Sequence, residues 1–269
     1  MIETTEHTLA RSGSTLHYWL SGPEGRPLVA LTHGATMDHR MFEAQVAALA
    51  GAYRVLTWDV RGHGRSQPIG ADFSMGVCAD DLLALIQAAG YAQAALVGQS
   101  MGGYIAQELM FRRPECALAF VSIGSTSITM PYPLGDRLAL ALTGPTLRLM
   151  PYGYFKRLTA RTVAITPAVQ AYAYEALSQV TKRDMVTIMS AVTACLHVEP
   201  GYTLPVPALL THGDHDTTGR IKGYAPRWAA QVPGSVSVVI PDAGHNANQD
   251  NPAFFNRLLL EFLHQHVPV

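Results

Sequence analysis

The sharpest chemical signal in the chain is Gly98-Gln99-Ser100-Met101-Gly102-Gly103. A serine with glycine two positions away on either side, after a short apolar run and before an amphipathic one, has the pattern of a nucleophile elbow. The glycines let neighbouring segments approach closely. The turn lifts the hydroxyl, and the helix that follows aims its N-terminus, with the Met101 N–H, at any oxyanion formed there. A serine hydroxyl alone is a weak nucleophile near neutral pH, so it needs a base and a group to orient that base. Of the 11 histidines, His245 in Asp242-Ala243-Gly244-His245 is best placed, in a loop between the last apolar run and the last helical one. His63, in Arg61-Gly62-His63-Gly64-Arg65-Ser66, reads as a structural residue of a turn. The acid is expected in Thr211-His212-Gly213-Asp214-His215-Asp216. Asp214 suits bracing of the turn, while Asp216 lies further out and can reach the histidine, so Asp216 is preferred. The other loop open to an acid, Gly124-Ser125-Thr126-Ser127, holds no carboxylate. A second oxyanion donor is expected from His33-Gly34-Ala35-Thr36-Met37, with Ala35 preferred over Thr36 because Gly34 permits the bend.

These residues need a frame that brings distant segments to one edge. Short apolar runs at 14–20, 28–32, 54–58, 94–97, 117–123, 208–211 and 235–240 read as strands. Helical spacing covers 41–49, 73–89, 100–113, the neighbourhood of Trp228 and 254–264, with Pro252 in the first turn of the last helix and Asp250 and Asn251 as cap candidates. Such alternation predicts an α/β fold: right-handed crossovers, a mostly parallel doubly wound sheet and helices on both faces. Between 125 and 205 the rhythm breaks into helical patterns punctuated by prolines, with Met130, Met150, Met185, Met189 and several tyrosines. That stretch reads as an insertion over one end of the sheet.

Composition narrows the function. Hydrophobic residues make up 48% of the 269 and charged residues 14%, enough to bury a sizeable core. Nineteen Lys and Arg against 20 Asp and Glu leave a net charge of −1, which provides no field toward nucleic acid or an anionic membrane. No stretch approaches the ~18 apolar residues of a membrane span. The start of the chain, with Glu3 and Glu6, is polar and acidic, unlike a secretory signal. Cys78, Cys116 and Cys195 are odd in number and widely spaced, as expected of reduced thiols in a cytoplasmic protein. His212 and His215 flank Asp214, but there is no H-E-x-x-H and no close cysteine pair, so neither a metal nor another cofactor is expected.

Together, His33-Gly34, Asp59-Val60-Arg61-Gly62-His63-Gly64-Arg65-Ser66, Gly98–Gly103, Gly213–Asp216 and Gly244-His245 resemble the α/β-hydrolase superfamily, over essentially the whole chain. The resemblance implies a core of residues 1–124 and 206–269 with a helical cap at 125–205. It supports Asp216, since relatives usually place the acid three residues after the glycine of the penultimate strand. Ser100-Met101-Gly102-Gly103 is similar to small esterases, enol-lactone hydrolases and perhydrolase relatives. A serine nucleophile argues against epoxide hydrolases and haloalkane dehalogenases. The expected activity is hydrolysis of a carboxylic ester or lactone of a small to medium apolar substrate, with Ser100, Asp216 and His245 acting together. Carbon–carbon cleavage of a diketone, perhydrolysis, or a ligand receptor that keeps its triad are the alternatives.

Overall fold

The computed structural model describes residues 3–269; Met1 and Ile2, at the head of the polar start, lie outside the described residues. Eight strands form one sheet: β1 (Thr4–Arg11), β2 (Ser14–Ser21), β3 (Leu28–Thr32), β4 (Arg54–Trp58), β5 (Ala94–Gln99), β6 (Ala117–Ile123), β7 (Ala208–Gly213) and β8 (Val236–Ile240). Their order is β1-β2-β4-β3-β5-β6-β7-β8. β1 pairs antiparallel with β2, and β2 antiparallel with β4; every pairing from β4 to β8 is parallel.

The helices are α1 (Glu43–Leu49), α2 (Met75–Ala88), α3 (Met101–Arg112), α4 (Leu134–Ala141), α5 (Thr143–Leu149), α6 (Tyr152–Val163), α7 (Pro167–Ser178), α8 (Lys182–Ala194), α9 (Ile221–Gln231), α10 (Ala247–Asp250) and α11 (Pro252–His266). Side chains alternate across a strand, so each parallel strand serves two cores. Leu28 and Ala30 of β3, with Leu96 and Phe120, pack beneath Leu82 and Leu85 of α2 and Ile105 and Leu109 of α3. Val29 and Leu31, with Val97 and Val121, face Leu49 of α1 and Phe255, Leu259 and Leu263 of α11. A side chain of this kind, fully buried, contributes roughly 1.5–3 kcal/mol. The expected doubly wound α/β architecture is therefore present.

Several boundaries differ from expectation. β1 escaped the periodicity because Thr4–Arg11 is polar: it is an edge strand with mostly exposed side chains, and Glu6 makes ion pairs with His17 and Arg65. The 41–49 run splits into a 3-10 turn, His39–Phe42, capped by Asp38, and then α1. Ser100 is not the first residue of a helix but stands just before α3, at φ 49°. β5 and β7 each run two residues beyond the expected end, to Gln99 and Gly213. Five helices, α4 to α8, lie between β6 and β7, flanked by irregular chain at 124–133 and 195–207.

The chain moves from β3 to β4 on one side and later returns to place β5 on the other side of β3. This reversal opens a crevice outside the carboxyl ends of β3 and β5, where open α/β sheets bind their ligands.

Candidate active site

The loops after β3 and β5 enter that crevice from its two sides. Ser100 sits at the tip of the β5–α3 turn in a left-handed conformation that side chains rarely adopt. The turn is held from several directions. Ser100 N–H donates to the Ile123 carbonyl at 2.8 Å, and the Ser100 carbonyl accepts from Gly103 N–H at 2.9 Å and from Ser125 Oγ at 2.8 Å. Two glycines make this packing achievable. A Cβ on Gly98 would lie 2.3 Å from the Gly102 carbonyl carbon, and a Cβ on Gly102 would lie 2.0 Å from the Thr32 carbonyl oxygen at the end of β3. Both contacts are with backbone and far inside van der Waals distance, so the turn closes only without side chains there.

His245 and Asp216 meet across the loops after β8 and β7. His245 Nδ1 donates to Asp216 Oδ2 at 2.9 Å, and Thr218 N–H donates to Asp216 Oδ1 at 2.8 Å. Burial of Asp216 favours its neutral form, but the charge of His245 and the hydrogen bonds it accepts outweigh this and hold its carboxyl below the ordinary value. The carboxylate thereby keeps the His245 proton on Nδ1 and leaves Nε2 able to accept one. Asp214, two residues away, turns elsewhere. It accepts from the N–H groups of Ala243 at 3.0 Å and Asp242 at 3.1 Å and from His215, and these bonds, led by that of Ala243, draw its pKa down to about 2. It braces the turn, as its place beside Gly213 anticipated.

Ala35, Ser100 and His245 line one cavity of about 280 Å³, walled by Leu147, Met150, Phe155, Leu158, Val163 and Met189 from the inserted helices. Asp216 stands behind His245, and Met101 behind Ser100 with its side chain buried. The Met101 N–H, in the first turn of α3, has no acceptor within its own helix. Thr36, the second candidate in its loop, has φ 67°, and its hydroxyl donates to the Ala35 carbonyl at 2.6 Å. The basic side chains Arg137, Arg148, Arg157 and Arg161 of the inserted helices are exposed and do not line this cavity.

Two other histidines near the crevice are structural. Val60 N–H donates to His33 Nε2 at 2.9 Å, which places the His33 proton on Nδ1, where it donates to the Gly34 carbonyl. Burial holds His33 below its ordinary pKa and pushes His63 down to about 3, so both stay neutral. Among the described residues, Asp38, His39 and Asp59 come close enough to hold a metal ion. Each is already engaged: Asp59 accepts from the His39 ring and from Arg65 N–H, and Asp38 is paired with Arg40 and Tyr172.

Sequence reasoning missed the residues that join these loops. Gln99 is buried, and its Nε2 donates to the His245 carbonyl at 3.1 Å, tying the elbow to the histidine loop. Asp250, read as a cap candidate, instead accepts from Gly244 N–H at 2.9 Å, Ile165 N–H at 3.1 Å and Thr166 N–H at 2.9 Å. It thus joins the histidine loop to the link between α6 and α7, while Asn251 caps α11 through Phe254 N–H. The available signal was position: Gln99 lies inside the elbow motif and Asp250 five residues after His245.

Comparisons with known proteins agree with this frame. The model of the alpha/beta hydrolase family matches residues 29–258. RutD of Klebsiella pneumoniae (strain 342), provisionally named a carbamate hydrolase, is 28% identical over 253 residues, covering 91% of this chain and 94% of its own. The carboxylesterase YbfK of Bacillus subtilis (strain 168) is 25% identical over 256 residues, 94% of this chain and 85% of that protein. In fold, the chain is similar to the crystal structure of the enol-lactonase from Burkholderia xenovorans LB400, with a TM-score of 0.80, 23% identity, and 96% and 99% of the two chains covered.

Proposed function

The chain belongs to the alpha/beta hydrolase family, and from that premise we propose that it is a serine hydrolase of small to medium apolar carboxylic esters or lactones. The observation that carries the proposal is the 2.9 Å bond between the buried Asp216 carboxylate and Nδ1 of His245, which lines one cavity with the strained Ser100. Ser100 Oγ attacks the substrate carbonyl carbon as its proton passes to His245 Nε2. The carbonyl oxygen takes up the negative charge and accepts from the N–H groups of Ala35 and Met101. Collapse of this intermediate breaks the bond to the leaving oxygen, which takes the proton from His245 and departs as an alcohol, leaving an ester on Ser100. Water then gives a proton to His245 and adds to the acyl carbon. Ser100 Oγ leaves, recovers the proton, and the acid is released. Asp216 stays ionised throughout and stabilises the imidazolium. In a lactone the alcohol remains part of the same molecule.

The cavity's methionine, leucine, valine and phenylalanine walls support an apolar substrate, and its volume supports a small to medium one. In this reading residues 125–205 form a cap over the core of 1–124 and 206–269. No helix among the described residues is long and apolar enough to cross a membrane. Cys78, Cys116 and Cys195 are free thiols, which supports a place in a reducing cytoplasm.

The test is hydrolysis of p-nitrophenyl esters from acetate to octanoate by the wild type beside Ser100→Ala, with circular dichroism to check folding. The expected result is turnover in the wild type that falls by about 10⁴-fold or more in the variant. A folded variant that keeps a tenth of the activity, or a wild type that turns over none of the esters, overturns the proposal.

A further inference from the structure

Beside the cavity that holds Ser100 lies a second one of about 420 Å³. The two are offset by one helical turn on the elements they share. Ser100, just before α3, lines the first, and Tyr104 the second; on α5 the pair is Leu147 and Thr143, and on α8 Met189 and Thr193. After β7, Thr218 lines the first and Gly219 the second. Side chains four apart on a helix are separated by one turn, about 5.4 Å. The second chamber therefore lies about one turn along these elements from the first.

Its lining is of a different kind. The rings of Tyr132 and Tyr224 meet edge to face with centroids 4.8 Å apart, a geometry to which a further ring can add. Their hydroxyl protons are already committed: Tyr132 donates to the Ser127 carbonyl and Tyr224 to the Asp136 carboxylate. These oxygens offer lone pairs and no proton, so a complementary group must bring its own. The same Asp136 pairs with Arg220 at 3.0 Å, so its carboxylate offsets the charge of the largely exposed guanidinium and lessens any preference for an anion.

Resting on the serine-hydrolase reading above, we infer that this chamber receives the acyl part of the substrate and selects an aromatic ring bearing a neutral hydrogen-bond donor, as in a hydroxyaryl-alkanoyl ester. The acyl assignment follows from the first cavity. The leaving oxygen must face His245 to be protonated and the carbonyl oxygen must face Ala35, and both residues line only the first cavity. The third substituent of the carbonyl carbon is left to point away from them, and one turn along α3, α5 and α8 the second chamber offers it room.

Two measurements test this. The first compares kcat/KM for methyl 3-(4-hydroxyphenyl)propanoate, its 4-methoxy counterpart, methyl butanoate and 4-hydroxyphenethyl acetate, in the wild type and in Leu140→Trp, which fills the chamber. The hydroxyaryl ester is expected to exceed butanoate at least tenfold and the methoxy ester at least tenfold, and Leu140→Trp to bring its ratio to butanoate close to one. A wild-type ratio near one, a ratio unmoved by Leu140→Trp, or a preference for 4-hydroxyphenethyl acetate overturns the inference. The second measurement involves no chemistry: calorimetric titration of Ser100→Ala with 3-(4-hydroxyphenyl)propanamide and butanamide. Binding of the aryl amide at least tenfold tighter is expected, and lost when Leu140→Trp is added; equal binding overturns the chamber even where esters are cleaved. Tight binding without turnover of any ester overturns the serine-hydrolase reading and leaves the aromatic selectivity standing.

Discussion

The loops at the carboxyl edge of the sheet and α5, α6 and α8 of the five helices inserted between β6 and β7 line the same cavity, and the two regions are held in different ways. In the loops, buried or half-buried carboxylates gather backbone N–H groups that have no ladder partner. Asp59 takes those of His39 and Arg65, Asp214 those of Asp242 and Ala243, and Asp250 those of Gly244, Ile165 and Thr166. Every such bond satisfies a donor that would otherwise be costly to leave unmade. The inserted helices combine apolar contact with a few side-chain ties, such as Tyr172 to Asp38 and Tyr152 to the Val180 carbonyl. α4 has no fully buried residue, Leu134 is 70% exposed and Leu149 87% exposed. The loops that hold Ser100, Asp216 and His245 are thus fixed largely by directional bonds, while the helical wall of the cavity rests more on adaptable, non-directional contacts.

Breaking the loop side has the larger effects. Gly102→Ala forces β3 and α3 apart by about 1 Å and is expected to cost about 3 kcal/mol or more, read as a lowered urea midpoint. Asp250→Asn puts an amide where N–H donors converge. A loss of about 1–3 kcal/mol is expected in the same assay, with a lower kcat/KM for p-nitrophenyl esters because the His245 loop loses its anchor.

Asp214 sharpens the comparison through pH. Its folded pKa of about 2 lies below the ~3.9 of an unfolded aspartate, so its stabilising contribution is complete above pH ~4 and is lost as the pH falls toward 2. Urea titrations between pH 5 and pH 2 should show Asp214→Asn with a flatter acid-side decline than the wild type; parallel profiles would count against the bracing role. The smallest effect belongs to the insertion. Leu149→Ser should change stability by no more than ~0.5 kcal/mol, and a larger loss would mean that this leucine is covered in solution.

What was legible in the sequence followed the same division. The elbow, the histidine loop and the acid loop could be read because turns that close at short range demand particular residues at fixed spacing: Gly98, Ser100 and Gly102 tolerate few substitutes. Asp216 could be preferred over Asp214 because two residues along an extended loop carry a side chain to a different neighbour. β1 was not legible, since an edge strand with mostly exposed, polar side chains has no sustained apolar alternation to show. Gln99 and Asp250 were not legible as ties, because their partners lie 146 and up to 85 residues away. The second chamber was least legible of all. Helical spacing marks which residues share a face, but not which faces of α4, α5, α8 and α9 turn toward one another.

One consequence of the sheet's register reaches beyond this molecule's chemistry. Ile123 at the end of β6 and Thr211 near the end of β7 are paired neighbours, yet the five inserted helices lie between them in the chain. The insertion leaves at the carboxyl end of β6 and the chain re-enters at the amino end of β7, beside Phe120, so both of its ends are fixed by the sheet while its length can vary with little entropic cost to the strands that frame it. It is no free cassette: Asp250 holds the Ile165 and Thr166 N–H groups and the Val163 carbonyl accepts from Asn246 N–H, so an insertion spliced between the same two strands must supply those bonds to keep the histidine loop in place.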